Sequence, residues 1–182
     1  EMCIRDSAYS VDGDGGKIET SGSTLDTNGI TVNAGSKNDK GGLWLLDPYD
    51  YIIGKTQAAS ISTVLDTGTS VTILTSANTT KYGSQGDADG DGDITVNSSI
   101  STSGTAKLTL TAARDLTLSS GANLTDTGTM SVALNSARNM VINGAINVAG
   151  TVALTTTSYT VSTLTTTNFS FTGAVQSFTA ST

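Results

Sequence analysis

The sequence predicts an all-β fold, a parallel β-helix (solenoid) of roughly eight coils with 22–24 residues in each. Three observations carry that expectation. The first is composition: 36% of the 182 residues are hydrophobic, 5% aromatic and 14% charged, with Ser, Thr, Gly, Asn and Ala filling the rest. Such a chain builds a thin aliphatic core, and its abundant Thr favours pleated strands over helix almost throughout, because the branched side chain fits a pleated surface. The second is a self-match: LTLTAARDLTLSSGANL (108–124) aligns without gaps to VALNSARNMVINGAINV (132–148), so Arg114 meets Arg138 and Leu118 meets Ile142 at an offset of 24. Weaker copies begin at Ile30 (ITVNAGS) and at Ile94 (ITVNSSIS), the latter 22 residues before Leu116.

The third observation is the spacing of apolar residues within a unit. They form triplets with a period of two: Leu108-Thr109-Leu110, Leu116-Thr117-Leu118 and Ala122-Asn123-Leu124, then Val132-Ala133-Leu134, Met140-Val141-Ile142 and Ile146-Asn147-Val148. Three short strands per unit, each turning two side chains inward and returning to the same place one unit later, describe one coil. At about 4.8 Å per coil, eight coils make a rod of about 40 Å. A β-sandwich is the alternative arrangement of such strands, but its strands need not resemble one another at a fixed period.

Charge and residue inventory exclude several functions. A net charge of -7 and a pI near 4.2 oppose the basic footprint that nucleic acid binding needs. No apolar run is long enough for a membrane helix, so membrane insertion is not expected. His is absent and Cys3 is the only cysteine, which removes Ser-His and Cys-His catalysis, thiolate zinc sites and any internal disulfide. No catalytic residue and no cofactor other than calcium is expected. Residues 1–7 (EMCIRDS) read as a non-native or disordered tail, leaving 8–182 as the solenoid segment. Neither terminus carries an amphipathic capping helix, so the chain is expected to be a segment of something longer.

Along the chain, an aromatic insertion near 43–53 interrupts the Thr-rich pattern with Trp44, Tyr49 and Tyr51 around Asp47-Pro48. Those rings are candidates for stacking on sugar faces, weighed against simple packing. LDTGTSVTI (65–73) has the form of an aspartic-protease loop, and Asp126-Thr127-Gly128-Thr129 is its sibling 60 residues on. That interval is too short for two lobes, and a third relative at Leu25-Asp26-Thr27-Asn28-Gly29 also precedes a strand. The motif therefore reads as a recurring turn in which Asp and Thr bond to backbone. An acidic loop near 86–93 places Asp87, Asp89, Asp91 and Asp93 at alternate positions, as in the opening of a calcium loop, but Ser98 stands where a bidentate Glu would. Weak calcium binding is the candidate chemistry there. Arg114-Asp115 and Arg138 recur at one corner, either as an exposed ion pair or as the arginine base of a polysaccharide-degrading β-helix, the alternative enzymatic reading.

Residues 15–53, GGKIETSGSTLDTNGITVNAGSKNDKGGLWLLDPYDYII, resemble the large secreted filamentous haemagglutinin-like exoproteins, chiefly through GGKIETSG, LDTNGITVNAG and GGLWLLDPYD. The resemblance implies a right-handed β-helical rod in a surface adhesin, exported by two-partner secretion or as an autotransporter passenger. It further implies an outer-membrane transporter and a host or surface receptor, glycan or protein, as partners. The secretion domain of that family has no counterpart in these residues.

Overall fold

The computed structural model describes residues 5–76, 91–165 and 169–178. The strands are β1 (Arg5–Ser7), β2 (Lys17–Ser21), β3 (Thr31–Asn33), β4 (Leu43–Asp47), β5 (Tyr51–Ile53), β6 (Ser70–Leu74), β7 (Ile94–Val96) and β8 (Ile100–Thr102). They continue as β9 (Lys107–Ala112), β10 (Leu116–Leu118), β11 (Leu124–Asp126), β12 (Ser131–Ser136), β13 (Asn139–Asn147), β14 (Val152–Thr165) and β15 (Phe169–Phe178). Among the described residues one helix, α1 (Lys55–Asp66), lies between β5 and β6.

The strand pairings described are all parallel and wind the chain into a β-solenoid of about five turns. One side is the ladder β2-β4-β6-β9-β12-β14-β15, a second is β5-β7-β10-β13-β14, and a third runs β8-β11-β13. Inward residues stack in columns. Ile18, Trp44, Val71, Leu108, Val132 and Val152 form one, and Leu46, Ile73, Leu110, Leu134 and Leu154 its neighbour. All of these are buried, so the core among the described residues is a narrow axial column of mostly aliphatic side chains joined by Trp44 and Tyr51. Alternation of buried and half-buried residues, as in β9 and β10, is the period of two expected for strands with one face inward.

Five turns replace the eight expected because the early turns are long. Successive members of the first column lie 26, 27 and 37 residues apart up to Leu108, then 24 and 20. The longest interval, Val71 to Leu108, includes residues 77–90, outside those described, while the 27-residue interval from Trp44 to Val71 holds α1, an element the Thr-rich composition did not predict. Its sequence KTQAASISTVLD buries Gln57, Ala58, Ile61, Val64 and Leu65, the i, i+3, i+4 spacing of a helix face turned to the core. No side chain caps its N-terminus at Gly54, so packing of that face holds it.

The repeat is confirmed with one slip. Leu116 pairs with Met140 and Leu118 with Ile142 at the expected 24, and Ile94 pairs with Leu116 at 22. On the third side, however, Leu124 meets Ile146, not Val148, because the six residues from Leu118 to Leu124 face only four from Ile142 to Ile146, so the offset falls from 24 to 22. The copy beginning at Ile30 is not a member of the stack: β3 pairs with β1, on a different side from β7. Residues 5–7, expected in a tail, form β1 on the open edge of β3, a pairing made by backbone and so tolerant of sequence.

Corners explain the wealth of Asp, Ser, Thr and Asn. Where the backbone turns out of the ladder, a side-chain oxygen of one turn accepts the N–H of the next. Ser62 accepts Ser101, Ser70 accepts Lys107, Thr75 accepts Ala113, Ser99 accepts Asn123, Asn123 accepts Ala145 and Asp126 accepts Ala149. Corner glycines let turns approach. A Cβ on Gly104 would lie 2.4 Å from the Leu65 carbonyl oxygen, and one on Gly128 would lie 2.3 Å from that of Gly104.

Candidate functional site

Among the described residues, a group of charged side chains sits on the corner that precedes β7, β10 and β13. Asp50, 1% exposed, accepts the backbone N–H groups of Gly92 at 2.7 Å and Asp93 at 2.8 Å. Gly92 takes φ of 91°, which lets two successive amides converge on that carboxylate. Asp93 in turn accepts Arg114 Nε at 2.7 Å and the Asp115 N–H at 3.1 Å. Arg114 also pairs through Nη2 with Asp93 and through Nη1 with Asp91. One turn later the pattern recurs: Asp115 accepts Arg138 Nε at 2.8 Å and the Asn139 N–H at 3.1 Å.

This arrangement fixes the electrostatics. The Arg138 hydrogen bond, joined by the Asn139 N–H, holds the Asp115 carboxyl below its ordinary range against the opposing effect of burial. The same bond pushes Arg138 further from deprotonation, the wrong direction for an arginine base. Of the calcium candidates, Asp91 and Asp93 already hold a guanidinium, while Asp87 and Asp89 lie outside the described residues. Among the described residues no group of three or more Asp, Glu, Cys or His is placed to hold a metal ion. Sequence reading passed over Asp50, since its partners lie 42 and 43 residues away and nothing local sets it apart from other turn aspartates.

The protease-like motif proves to be a helix end and a corner. Leu65 and Asp66 close α1, Gly68 takes φ of 81°, and β6 follows. Asp66 accepts Thr102 Oγ1 at 2.7 Å, the Ser103 N–H at 2.7 Å and Ser103 Oγ at 3.2 Å. The Thr102 hydroxyl is the main cause that lowers the Asp66 carboxyl from its usual value, with the Ser103 N–H next. Thr102 is also the register partner of Asp126, so a whole turn separates Asp66 from Asp126. Two turn spacings amount to about 10 Å, far from the ~3 Å at which two carboxylates share a proton.

The aromatic candidates divide. Trp44 and Tyr51 are fully buried. Trp44 donates its indole N–H to Thr20 Oγ1 at 3.1 Å, and the Tyr51 hydroxyl lies 2.7 Å from that of Thr27. Their rings fill the column and present no face for a sugar; Tyr49 is half-buried at the corner beside Pro48. Burial pushes the Tyr51 phenol up to about 12, the Thr27 bond opposing and Asp26 adding to the rise.

Two shallow concavities flank the first turns. One of about 350 Å³ lies between α1 (Thr56, Ala59, Ser60, Thr63) and residues 28–32. The other, about 490 Å³, runs along β2 and the following loop, with Glu19, Thr20, Ser21, Thr24 and Asp26 in its walls. In the second, the Ser21 hydroxyl donates to Glu19 Oε1 at 2.9 Å, and Lys17 Nζ donates to the other oxygen of that carboxylate at 3.1 Å. In comparison with known proteins, no family model matches the chain, and no curated protein or solved structure does.

Proposed function

We propose that this chain is a non-enzymatic rod segment of a large bacterial surface adhesin of the filamentous haemagglutinin-like kind, wound right-handedly and exported to the cell surface. Its work is to set the distance between the cell and a glycan or protein receptor. An outer-membrane transporter of the full-length protein is the export partner. The observation that carries this reading is how the polar side chains are used. Asp50, Asp66, Asp93, Asp115, Arg114 and Arg138 each bind the neighbouring turn, so these charged side chains tie the stack together. The haemagglutinin-like stretches GGKIETSG and GGLWLLDPYD add support, as does a chain without an internal disulfide, which suits passage through a membrane unfolded. Local coil-on-coil pairing then lets folding propagate along the rod.

The test is replacement. In the full-length protein, residues 8–182 are exchanged for an equal number of turns from an unrelated β-solenoid, and attachment of cells to a receptor-bearing surface is measured. A spacer predicts attachment kept by the exchange and reduced by outright deletion. Loss of attachment on exchange would instead make this segment the receptor-binding part. Unsaturated product released from polyuronate by the 182-residue chain would make it an enzyme.

A further inference from the structure

The chain contains two Asn-Gly pairs, Asn28-Gly29 and Asn143-Gly144, and the fold places them in opposite situations. Asn28 and Gly29 are both exposed in the turn before β3, on the rim of the concavity beside α1. Gly29 takes φ of 72°, and a Cβ built there would meet nothing within 4 Å. The Asn28 N–H is donated to Asp26 Oδ1 at 2.9 Å. Asn143 and Gly144, by contrast, lie inside β13 at its irregularity, held on one side by Met140–Ile142, paired with β10 and β14, and on the other by Ile146 and Asn147, paired with β11 and β14. Gly144 is buried, and a Cβ there would come within 1.6 Å of the Ala122 carbonyl oxygen.

We infer that Asn28 is a site of spontaneous covalent modification, converting with age to aspartate and isoaspartate, while the chemically identical pair at Asn143 is preserved by the fold. The backbone nitrogen of Gly29 attacks the side-chain carbonyl carbon of Asn28. A C–N bond forms, the amide C–N bond breaks, and ammonia leaves with the proton lost by Gly29. Water then opens the cyclic imide at either carbonyl. One opening gives aspartate in the original backbone; the other gives isoaspartate, with the chain routed through the former side chain. The reaction needs room for the peptide plane to swing onto the side chain. The open turn at Gly29 provides it, whereas at Gly144 β13 must first be pulled from its neighbours.

The product changes this corner of the rod. A new carboxylate appears beside Asp26, and the isoaspartate form adds one backbone bond between two anchored points. One is Thr27, fully buried with its hydroxyl against Tyr51; the other is Ile30, 6% exposed. The inference is independent of the adhesin reading.

The experiment ages the 182-residue chain at neutral pH and body temperature and maps its peptides for the mass gain of amide to acid. Asn28 is expected to convert more than about tenfold faster than Asn143 in the folded chain, and at a comparable rate in denaturant, where no opening step intervenes. In Asn28→Gln the fast conversion disappears. Equal rates at the two sites in the folded wild type overturn the inference, and so does a fast phase that persists in Asn28→Gln with an unchanged circular dichroism spectrum.

Discussion

Arg114 grips Asp93 of the preceding turn through Nε at 2.7 Å and through Nη2, while its other terminal nitrogen pairs with Asp91. The acidic run that looked like a calcium loop thus carries an internal cation at its C-terminal end. Replacing that cation is a direct probe. Arg114→Ala should cost about 1–2 kcal/mol, because two partly buried carboxylates lose their partner. Millimolar calcium should then raise the melting temperature of the variant more than that of the wild type, measured against EDTA. An equal response in both proteins would show that the guanidinium and calcium do not compete.

Tyr51 supplies an alkaline signature. Its phenol is raised from 10.0 to about 12 in the folded chain, so the folded state holds the proton more tightly than the unfolded one. That contribution is complete below pH 10 and is lost as pH rises toward 12. Tyr51→Phe should lower stability by about 1–2 kcal/mol at neutral pH, since the Thr27 hydroxyl is left buried without its partner. The same variant should lose less stability than wild type across the alkaline window in urea titrations.

Asp66 and Asp115 act at the acid end. Both carboxyls are lowered in the folded chain, so protons bind the unfolded chain more tightly. Their stabilisation is present above the unfolded carboxylate range of about 4 and declines as pH falls through the lower folded values. Asp66→Asn retains an acceptor for the Ser103 N–H. It should fold, flatten the acid limb of the stability profile, and leave attachment of the full-length protein intact. Peptide cleavage by wild type that Asp66→Asn abolishes would revive the protease.

Two glycines separate crowding from backbone strain. Gly104→Ala drives a methyl group against the Leu65 carbonyl oxygen in the adjacent turn and should cost about 2–4 kcal/mol. Gly121 has φ of 80° but nothing near its Cβ position, so Gly121→Ala should cost only about 1–2 kcal/mol. Denaturant midpoints in the reverse order would contradict the packing of these corners.

The axial stack was legible because it obeys a period: Leu108, Leu110, Leu116 and Leu118 recur as Val132, Leu134, Met140 and Ile142, and they pair as aligned. α1 was not, since KTQAASISTVLD is rich in the same Ser, Thr and Ala as the strands and carries no capping side chain. Its helical spacing of Ala58, Ile61 and Leu65 was the available signal. The slip of Leu124 onto Ile146 was hidden because an ungapped match cannot show that the connection from β10 to β11 is two residues longer than its counterpart in β13. That Asp66 binds backbone was readable from its siblings, but only Asp26 bonds within its own turn; Asp66, Asp50 and Trp44 all took their places from partners a turn away.

The central claim is that residues one turn apart are parallel neighbours in a continuous stack. Thr95 and Thr117 are register partners on the outward face of β7 and β10. At a strand spacing of about 4.8 Å their Cα atoms lie within the range a disulfide spans. In a Cys3→Ser background, Thr95→Cys with Thr117→Cys should close an intramolecular disulfide under mild oxidation, seen as loss of both free thiols in the monomer. Two thiols that stay free in folded monomer, under oxidant sufficient to link an unstructured control peptide, would contradict the stack and favour a sandwich of the same strands.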